Sequence, residues 1–482
     1  MTTSLELQHF AVLQVAYLHK DTSILITCTT NNPCHLTCYY TDKKPVRHTT
    51  STVKRGVSLP WGAYFCFVAW KSVEQQEPGD TLTHTFEIPD WSYCQIKWFT
   101  FRGTVAGELS PSVTALIKHH HSVKPVIPPF VIDTLEFDPV RGVAPDIIHV
   151  PGNVYAIAYN GPDSHGFLKT VRVNSDGSID DVIATLEFDP VQCVGPAIIN
   201  VAGDVYAIAY AGRYDHGFLK TVSISDDGSI GAVIATLEFD PARGYTLDFI
   251  HLWGDLYAVA YEGYVGRGFL KTLSIYSNGS IGPVIDTLEF DPTRGRFPAI
   301  IRCAGAVHAI AYSGPDYDGF LKTVSIGAGG SIGPVIDTLE FDPVLCHETD
   351  IIHVAGDVYA IAYRGPDQHG FLKTVTINDH GSIAAVIDTL EFDPFYCVGP
   401  VIIHVSGTMY AIAYSGLGSD GFLKTVSISD DGSIGPVITT LEFDPVRGTG
   451  PDIIFVAVEV YAIAYCGPDL DGFLKTVRII IT

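Results

Sequence analysis

Positive charge is scarce in this chain. Its 482 residues hold 29 Lys and Arg against 53 Asp and Glu, a formal net charge of −24. The shortage is local: residues 1–121 carry ten basic and nine acidic residues (about +1), so residues 122–482 carry 19 against 44, or −25. A field of that sign repels phosphate backbones, which argues against a nucleic-acid partner and favours solubility. Long apolar runs are also missing. No stretch approaches the ~20 residues of a membrane helix, so membrane insertion is not expected. The opening MTTSLELQHF lacks the basic and apolar regions of a signal peptide, so an extracellular, cell-surface or virion address would require another export route.

Enzyme motifs are absent too. The chain has no G-x-S-x-G elbow, H-E-x-x-H, P-loop or paired C-x-x-C. We therefore expect no catalytic residues, no cofactor and no metal. Ten cysteines do not form an evident framework. Cys28, Cys34, Cys38, Cys66 and Cys94 are an odd number, and their C-x5-C-x3-C start fits no zinc pattern. Cys193, Cys346 and Cys397 recur in one loop of three repeats, with Cys303 and Cys466 elsewhere, and read as free thiols.

What is present is a repeat. TLEFDP begins at Thr134, Thr185, Thr236, Thr287, Thr338, Thr389 and Thr440, always 51 residues on. Each copy also has a YAIAY-like strand and a GFLKT strand. A period of about 40–50 residues holding four short strands is the signature of a β-propeller blade, so residues 131–482 are expected to form a seven-bladed propeller. In the second copy the strands a to d read AIINV, VYAIAY, GFLKTVSI and VIATLEF, with a tight SDDGS turn between c and d. The turn becomes GAGGS at Gly327–Ser331 and loses its carboxylates, which argues against a calcium loop. The array starts on a d strand, Val131–Phe137, and stops after a c strand, so the two ends are expected to complete one blade together and remove the free edges. Lys and Glu of FLKT and TLEF are expected to face each other across the outer hairpin, Lys169 with Glu187 and, at the closure, Lys475 with Glu136.

Residues 1–118 are β-branched and aromatic runs separated by turns, at 8–17, 23–29, 35–41, 63–69, 81–88, 94–102 and 112–118. They resemble a fibronectin type III-like or immunoglobulin-like β-sandwich, with Trp91 and Trp98 as core anchors. Residues 119–130, opening on three histidines, form the connector. The whole chain is thus expected to be all-β. The repeat array resembles young, tandemly amplified seven-bladed propellers, for which multivalent lectin-like propellers are the functional analogy; the YAIAY and GFLKT phrases match no sugar-contact motif, so no ligand residue carries over.

Seven copies in one chain reveal what varies. Strands barely change, whereas the d–a loop (VRGVAPD to VRGTGPD) and the b–c loop (NGPDSH to CGPDLD) do, and propeller topology puts both on one face. The expected ligand-binding residues there are Arg141, His165, Tyr214, His216, Arg243, Arg294, Tyr317, His347, His369 and Arg447. A second set, His149, Asn200, His251, Arg302, His353 and His404, falls at one position of strand a. It is expected to make inter-blade hydrogen bonds or to line the channel rather than hold a metal, since Phe455 breaks the ring. The leading expectation is a non-enzymatic recognition or adhesion protein that binds a glycan or protein surface through the variable face. The alternatives are a self-assembling structural subunit of an extracellular or virion layer, filament or fibre, and a hydrolase or lyase acting at the channel mouth.

Overall fold

The computed structural model describes residues 128–480 in full and, before them, the backbone of strands between Val12 and His119. The chain divides into two compact units, Met1–Val126 and Ile127–Thr482. In the first, antiparallel strands gather on Ser23–Thr41, which pairs with Val12–Lys20, Lys71–Glu74, Thr81–Ile88 and Lys97–Val105. The segments 23–29 and 35–41, expected as two strands, are parts of this one. The sandwich packing, Trp91, the side chains of Trp98 and of the first five cysteines, and most of the connector lie outside what the structure describes.

The second unit is a seven-bladed propeller of four-stranded antiparallel sheets. In blade I, strands a to d are Val143–Val150, Val154–Asn160, Gly166–Val173 and Ile179–Asp189. Blades II to VII follow, their a strands opening at Val194, Tyr245, Arg296, His347, Val398 and Thr449. Blade VII takes a, b and c from the C-terminal end (Thr449–Ala457, Val460–Cys466, Gly472–Arg478) and d from Phe130–Asp138, so the ring closes as the array's ends require.

The core lies between blades, and the YAIAY phrase shows why. Tyr206, Ile208 and Tyr210 of blade II pack into the face that blade I opens with Ala156 and Ala158, backed by Leu168 and Phe188. Blade VII offers Ala462 and Ala464 to Tyr155, Ile157 and Tyr159 of blade I in the same way. Large residues on one side of each sheet thus fit the small residues of its neighbour. Each buried aromatic or aliphatic side chain contributes about 1.5–3 kcal/mol.

A polar clamp accompanies each interface. The Asp of TLEFDP caps its own d–a loop by accepting the Val140 and Arg141 amides, then accepts the Tyr159 hydroxyl at 2.7 Å and pairs with Lys169 at 3.0 Å, both from the next blade. The same trio recurs as Tyr210–Asp189–Lys220, Tyr261–Asp240–Lys271, Tyr312–Asp291–Lys322, Tyr363–Asp342–Lys373, Tyr414–Asp393–Lys424 and Tyr465–Asp444–Lys475. Burial pushes the Asp138 carboxyl up, but the Tyr159, Lys169 and loop-amide donors outweigh it and hold the pKa below the ordinary carboxylate value.

This corrects the expected Lys–Glu pairs. In the c–d register Lys169 faces Thr185 while Glu187 faces Phe167, and at the closure Lys475 faces Thr134 while Glu136 faces Phe473. The two-residue offset frees each lysine to reach the preceding blade's Phe carbonyl and Asp: Lys475 meets Phe443 O at 2.7 Å and Asp444 at 2.9 Å. Glu136 instead shares a hydrogen bond with Asp471; burial first, then that contact, raises its pKa.

Candidate functional site

The d–a and b–c loops lie on one face and are stitched together there. The amide of Gly142 donates to Leu470 O, and Cys193, Gly244, Gly295, Cys346, Cys397 and Gly448 repeat this bond to the b–c loop of the preceding blade. Each b–c loop is a single 3₁₀ turn. The three thiols at this position are buried, and burial drives their pKa values up, so they are packing groups rather than nucleophiles. All five cysteines of the described propeller are free.

The structure sorts the ten expected binding residues into groups. His165, His216 and His369 stand at the outer rim, where each Nδ1 meets the Glu of its own TLEF strand: Glu187 and Glu238 at 2.6 Å, Glu391 at 2.5 Å. Arg267 takes that role with Glu289 at 3.0 Å. Tyr214 is 67% exposed and accepts from Arg213 at 2.6 Å. Arg141 donates to Asn160 at 2.7 Å, and Arg447 to Thr449 at 3.4 Å.

The remaining four come together at the mouth of blades III to V. Arg294 lies flat on the Tyr317 ring, 3.4 Å from its centroid, and the His347 ring stands 5.3 Å from Tyr317. Arg243 reaches Glu262 at 3.2 Å, and Arg296 reaches the same carboxylate oxygen at 3.0 Å. Glu262 ends strand b of blade III and is only 1% exposed. Arg364, which ends strand b of blade V, lies 3.6 Å from Glu348, whose other contact is the Gly399 amide at 2.9 Å. Burial first, then the charges of Arg364, Arg294 and Arg296, lowers the pKa of His347 to about 4, so it is neutral at pH 7. Arg294 Nε and Nη2 are buried without a hydrogen-bond partner among the described residues. Glu262, Arg296, Glu348 and Arg364 were not expected at the site. Their signal was a charged residue where other copies end strand b, or begin strand a, on small or apolar ones.

The backbone marks the same arc. A bulge in strand a holds one residue per blade at positive φ; it is Gly195, Gly399 and Gly450 in blades II, VI and VII, and Ala144 in blade I. Blades III, IV and V place Thr246, Phe297 and Glu348 there, at φ 43°, 48° and 51°. Such residues cost about 1–3 kcal/mol each where glycine would cost little.

Below the mouth, four carboxylates satisfy the free edges of the inner strands. Asp146, Asp248, Asp350 and Asp452 accept the amides of Ile198, Ile300, Ile402 and Ile147, each in the next blade. Asp248 and Asp452 also accept their own following amides. Seven blades cannot alternate evenly, so Asp452 and Asp146 are neighbours. They hydrogen-bond to each other, and burial followed by mutual repulsion lifts Asp146 well above the usual range.

At the far end of strand a, His149, His251, His353 and His404 bond Nε2 to the carbonyls of Gly152, Gly254, Gly356 and Gly407 in their own a–b turns, and Asn200 bonds Gly203 likewise. They rest on the tyrosines of strand b. This corrects the expected inter-blade bonds: the side chain is three residues from its turn carbonyl and closes locally. Arg302 alone of the set reaches across, to Leu252 O at 3.4 Å. No group of His, Cys, Asp and Glu able to hold a metal occurs among the described residues.

No protein-family model matches the chain, and no curated protein does. Solved structures share its outline. A periplasmic gluconolactonase of Pseudomonas aeruginosa matches at 13% identity and a TM-score of 0.49, covering 75% of this chain and 95% of its own. The WD40 domain of Toxoplasma gondii coronin matches at 11% and 0.49, covering 74% and 89%. A chain of the COPII outer coat vertex on membranes matches at 12% and 0.48, covering 71% and 85%. At these identities no activity or ligand carries over.

Proposed function

We propose that the protein is a non-enzymatic recognition module that binds a glycan or protein surface through the d–a and b–c loop face. The observation that carries this reading is the division of labour among residues. The Tyr–Asp–Lys clamp is repeated in all seven blades, while the loops above it differ and expose large apolar groups, among them Val140, Val191, Tyr214, Tyr264, Val344, Phe395, Leu417 and Val446. Ten of the twenty exposed large hydrophobics among the described residues lie in these loops, and apolar exposure of that kind suits an interaction surface. The chemistry of the mouth suits binding better than turnover, since guanidinium groups do not exchange protons at neutral pH and Glu262 is locked between two of them. Screening the full chain against glycan and protein arrays tests the reading. Binding should be lost on changing Tyr214, Tyr317 or Phe395 and retained on changing Asp227 or Asn278 in the opposite c–d turns.

The same apolar groups favour a second reading, assembly of copies or subunits through this face. Growth of particle size with concentration, abolished by Phe395→Ser, would support it over ligand recognition.

A further inference from the structure

Two buried polar groups of the ring are internally satisfied: the inner aspartates hold edge amides, and the clamp aspartates hold Tyr and Lys. The mouth of blades III to V is not. Arg243, Arg294, Arg296 and Arg364 supply four positive charges there; Glu262 and Glu348 supply two negative ones, and neutral His347 supplies none, so the cluster is left at 4 − 2 = +2. The other carboxylates on the blade IV loop do not cancel it from within the cluster. Asp318 is hydrogen-bonded to Glu340 at the rim, and Asp316 follows Pro315 in the exposed 3₁₀ turn. This excess sits in residues 122–482, which carry 44 acidic residues against 19 basic ones in all.

The uncompensated charge has a direction. Nε and Nη2 of Arg294 form the side-on edge of its guanidinium, the pair of donors that grips both oxygens of a carboxylate or phosphate, and both are buried without a partner. A buried charged donor left unmade is costly. Arg243 and Arg296 keep 28% and 33% of their side chains exposed, so the cluster is open to solvent on one side. Three neighbouring residues, Thr246, Phe297 and Glu348, hold left-handed backbone at the bulge that blades II, VI and VII fill with glycine. Unpaired guanidinium donors and the bulkiest residues at the bulge thus coincide in one arc of the ring, where blade I has the small Ala144.

Resting on the recognition face proposed above, we propose that this cluster binds an oxyanion group of the ligand, a carboxylate or a phosphate, with Arg294 as the bidentate donor and Arg243 and Arg296 as the exposed charges that draw it in. Tyr317 and Phe297 form the aromatic wall beside it.

The test uses the full chain, with sodium glucuronate and inorganic phosphate as probes, glucose as the neutral control, and sodium chloride to hold ionic strength fixed. Calorimetric titration and thermal shift should show saturable binding of at least one anion and none of glucose; the arm that saturates tells carboxylate from phosphate. Arg294→Gln and Arg296→Gln should each weaken it about ten-fold or more, whereas Arg172→Gln, beside Asp227 of a c–d turn on the opposite face, should leave it within about two-fold. Arg294→Lys keeps the charge and loses the fork, so it should bind weakly with the fold intact even if the Gln variant does not fold. Without anion, Arg294→Gln should melt no lower than wild type. No saturable binding of either anion, or equal loss in Arg172→Gln, overturns the site. A screened partner that needs Tyr214 but is indifferent to Arg294→Gln and Arg296→Gln also overturns it and leaves the recognition face standing. A partner lost only on c–d turn changes overturns the face itself.

Discussion

Blades III to V and blades VI to II are arcs of one ring, built on one plan, and they differ where the plan is silent. Both arcs repeat the Tyr–Asp–Lys clamp and the large-into-small packing of strand b. At the mouth they part. Blades VI, VII and II meet the bulge's positive φ with Gly399, Gly450 and Gly195, the residue that geometry favours, and blade I with the small Ala144, whereas blades III to V use the larger Thr246, Phe297 and Glu348 and surround them with arginine. The first arc shows what the fold needs. The second departs from it with bulkier residues at a backbone cost, a departure that the oxyanion site proposed above would account for.

The comparison can be broken most severely at what both arcs share. Deleting Phe130–Asp138 removes strand d of blade VII together with the first clamp aspartate, Asp138, leaving Lys169 and Tyr159 without their partner. The expected outcome is loss of the cooperative thermal transition, while removing residues 1–118 shifts it far less; melts followed by far-ultraviolet dichroism decide. If the shorter deletion leaves the transition intact, ring closure does not hold the propeller together.

A single clamp can be cut next. Asp342→Ala strands Lys373, held at 3.0 Å, and the Tyr363 hydroxyl, both at a buried interface. Breaking one side of a buried ion pair costs about 3–5 kcal/mol, so the urea midpoint should fall by a large fraction of the total stability. The same change at Asp189 or Asp444 should cost alike, because these copies occupy like surroundings in either arc. Unequal costs would show that the blades are not energetically interchangeable.

Much of this architecture was legible in the chain because each blade repeats the same local solution: Gly and Asp in turns, Tyr and Ala alternating in strand b, a d strand before the first a strand. The clamp was not. Lys169 was assigned to Glu187, a near neighbour in sequence, but its partner is Asp138, 31 residues earlier and across a blade boundary, and only the register reveals that Lys and Glu miss each other by two residues. The mouth was half legible. Arg243, Arg294, Tyr317 and His347 stood out as variable loop residues, yet nothing in their spacing showed that they converge while His165, His216 and His369 go to the rim. Glu262 and Arg364 open the variable b–c segments EGYVGR and RGPDQH, but nothing in the sequence shows that they meet Arg296 and Glu348 of the d–a segments.

A subtler contrast separates two kinds of aspartate and predicts opposite pH responses. Asp138 and Asp393 of the clamp have lowered pKa values, so their contribution is present above the ordinary carboxylate range and is lost as pH falls through the folded values. Asp350 behaves the other way. Burial chiefly, with the charges of Asp248 and Asp452, raises its pKa to about 7 against the hydrogen bonds it accepts. Its contribution is therefore full below its unfolded value of ~4 and is lost as pH rises through about 7. Asp350→Asn should flatten the dependence of the urea midpoint between about pH 5 and 7, by at most about 1.4 kcal/mol per pH unit. A wild-type slope unchanged by the substitution would mean that Asp350 titrates normally.

The smallest expected effect sharpens the comparison without touching the proposed oxyanion site. Each b–c turn has two consecutive residues at left-handed φ; the first is Asp163, Asp316, Asp367 and Asp469 in blades I, IV, V and VII, but Val265 in blade III, at φ 52° and 60% exposed. A β-branched side chain is poorly suited to that region, whereas Asp tolerates it. Val265→Asp should therefore raise stability, by about 1 kcal/mol at most, even though it adds a negative charge to a chain already at −24. The gain would be read as a small rise in urea midpoint at high salt, where repulsion is screened. A loss of stability there would show that Val265 makes a contact worth more than its strain, and blade III would then be adapted to its own packing rather than to a partner.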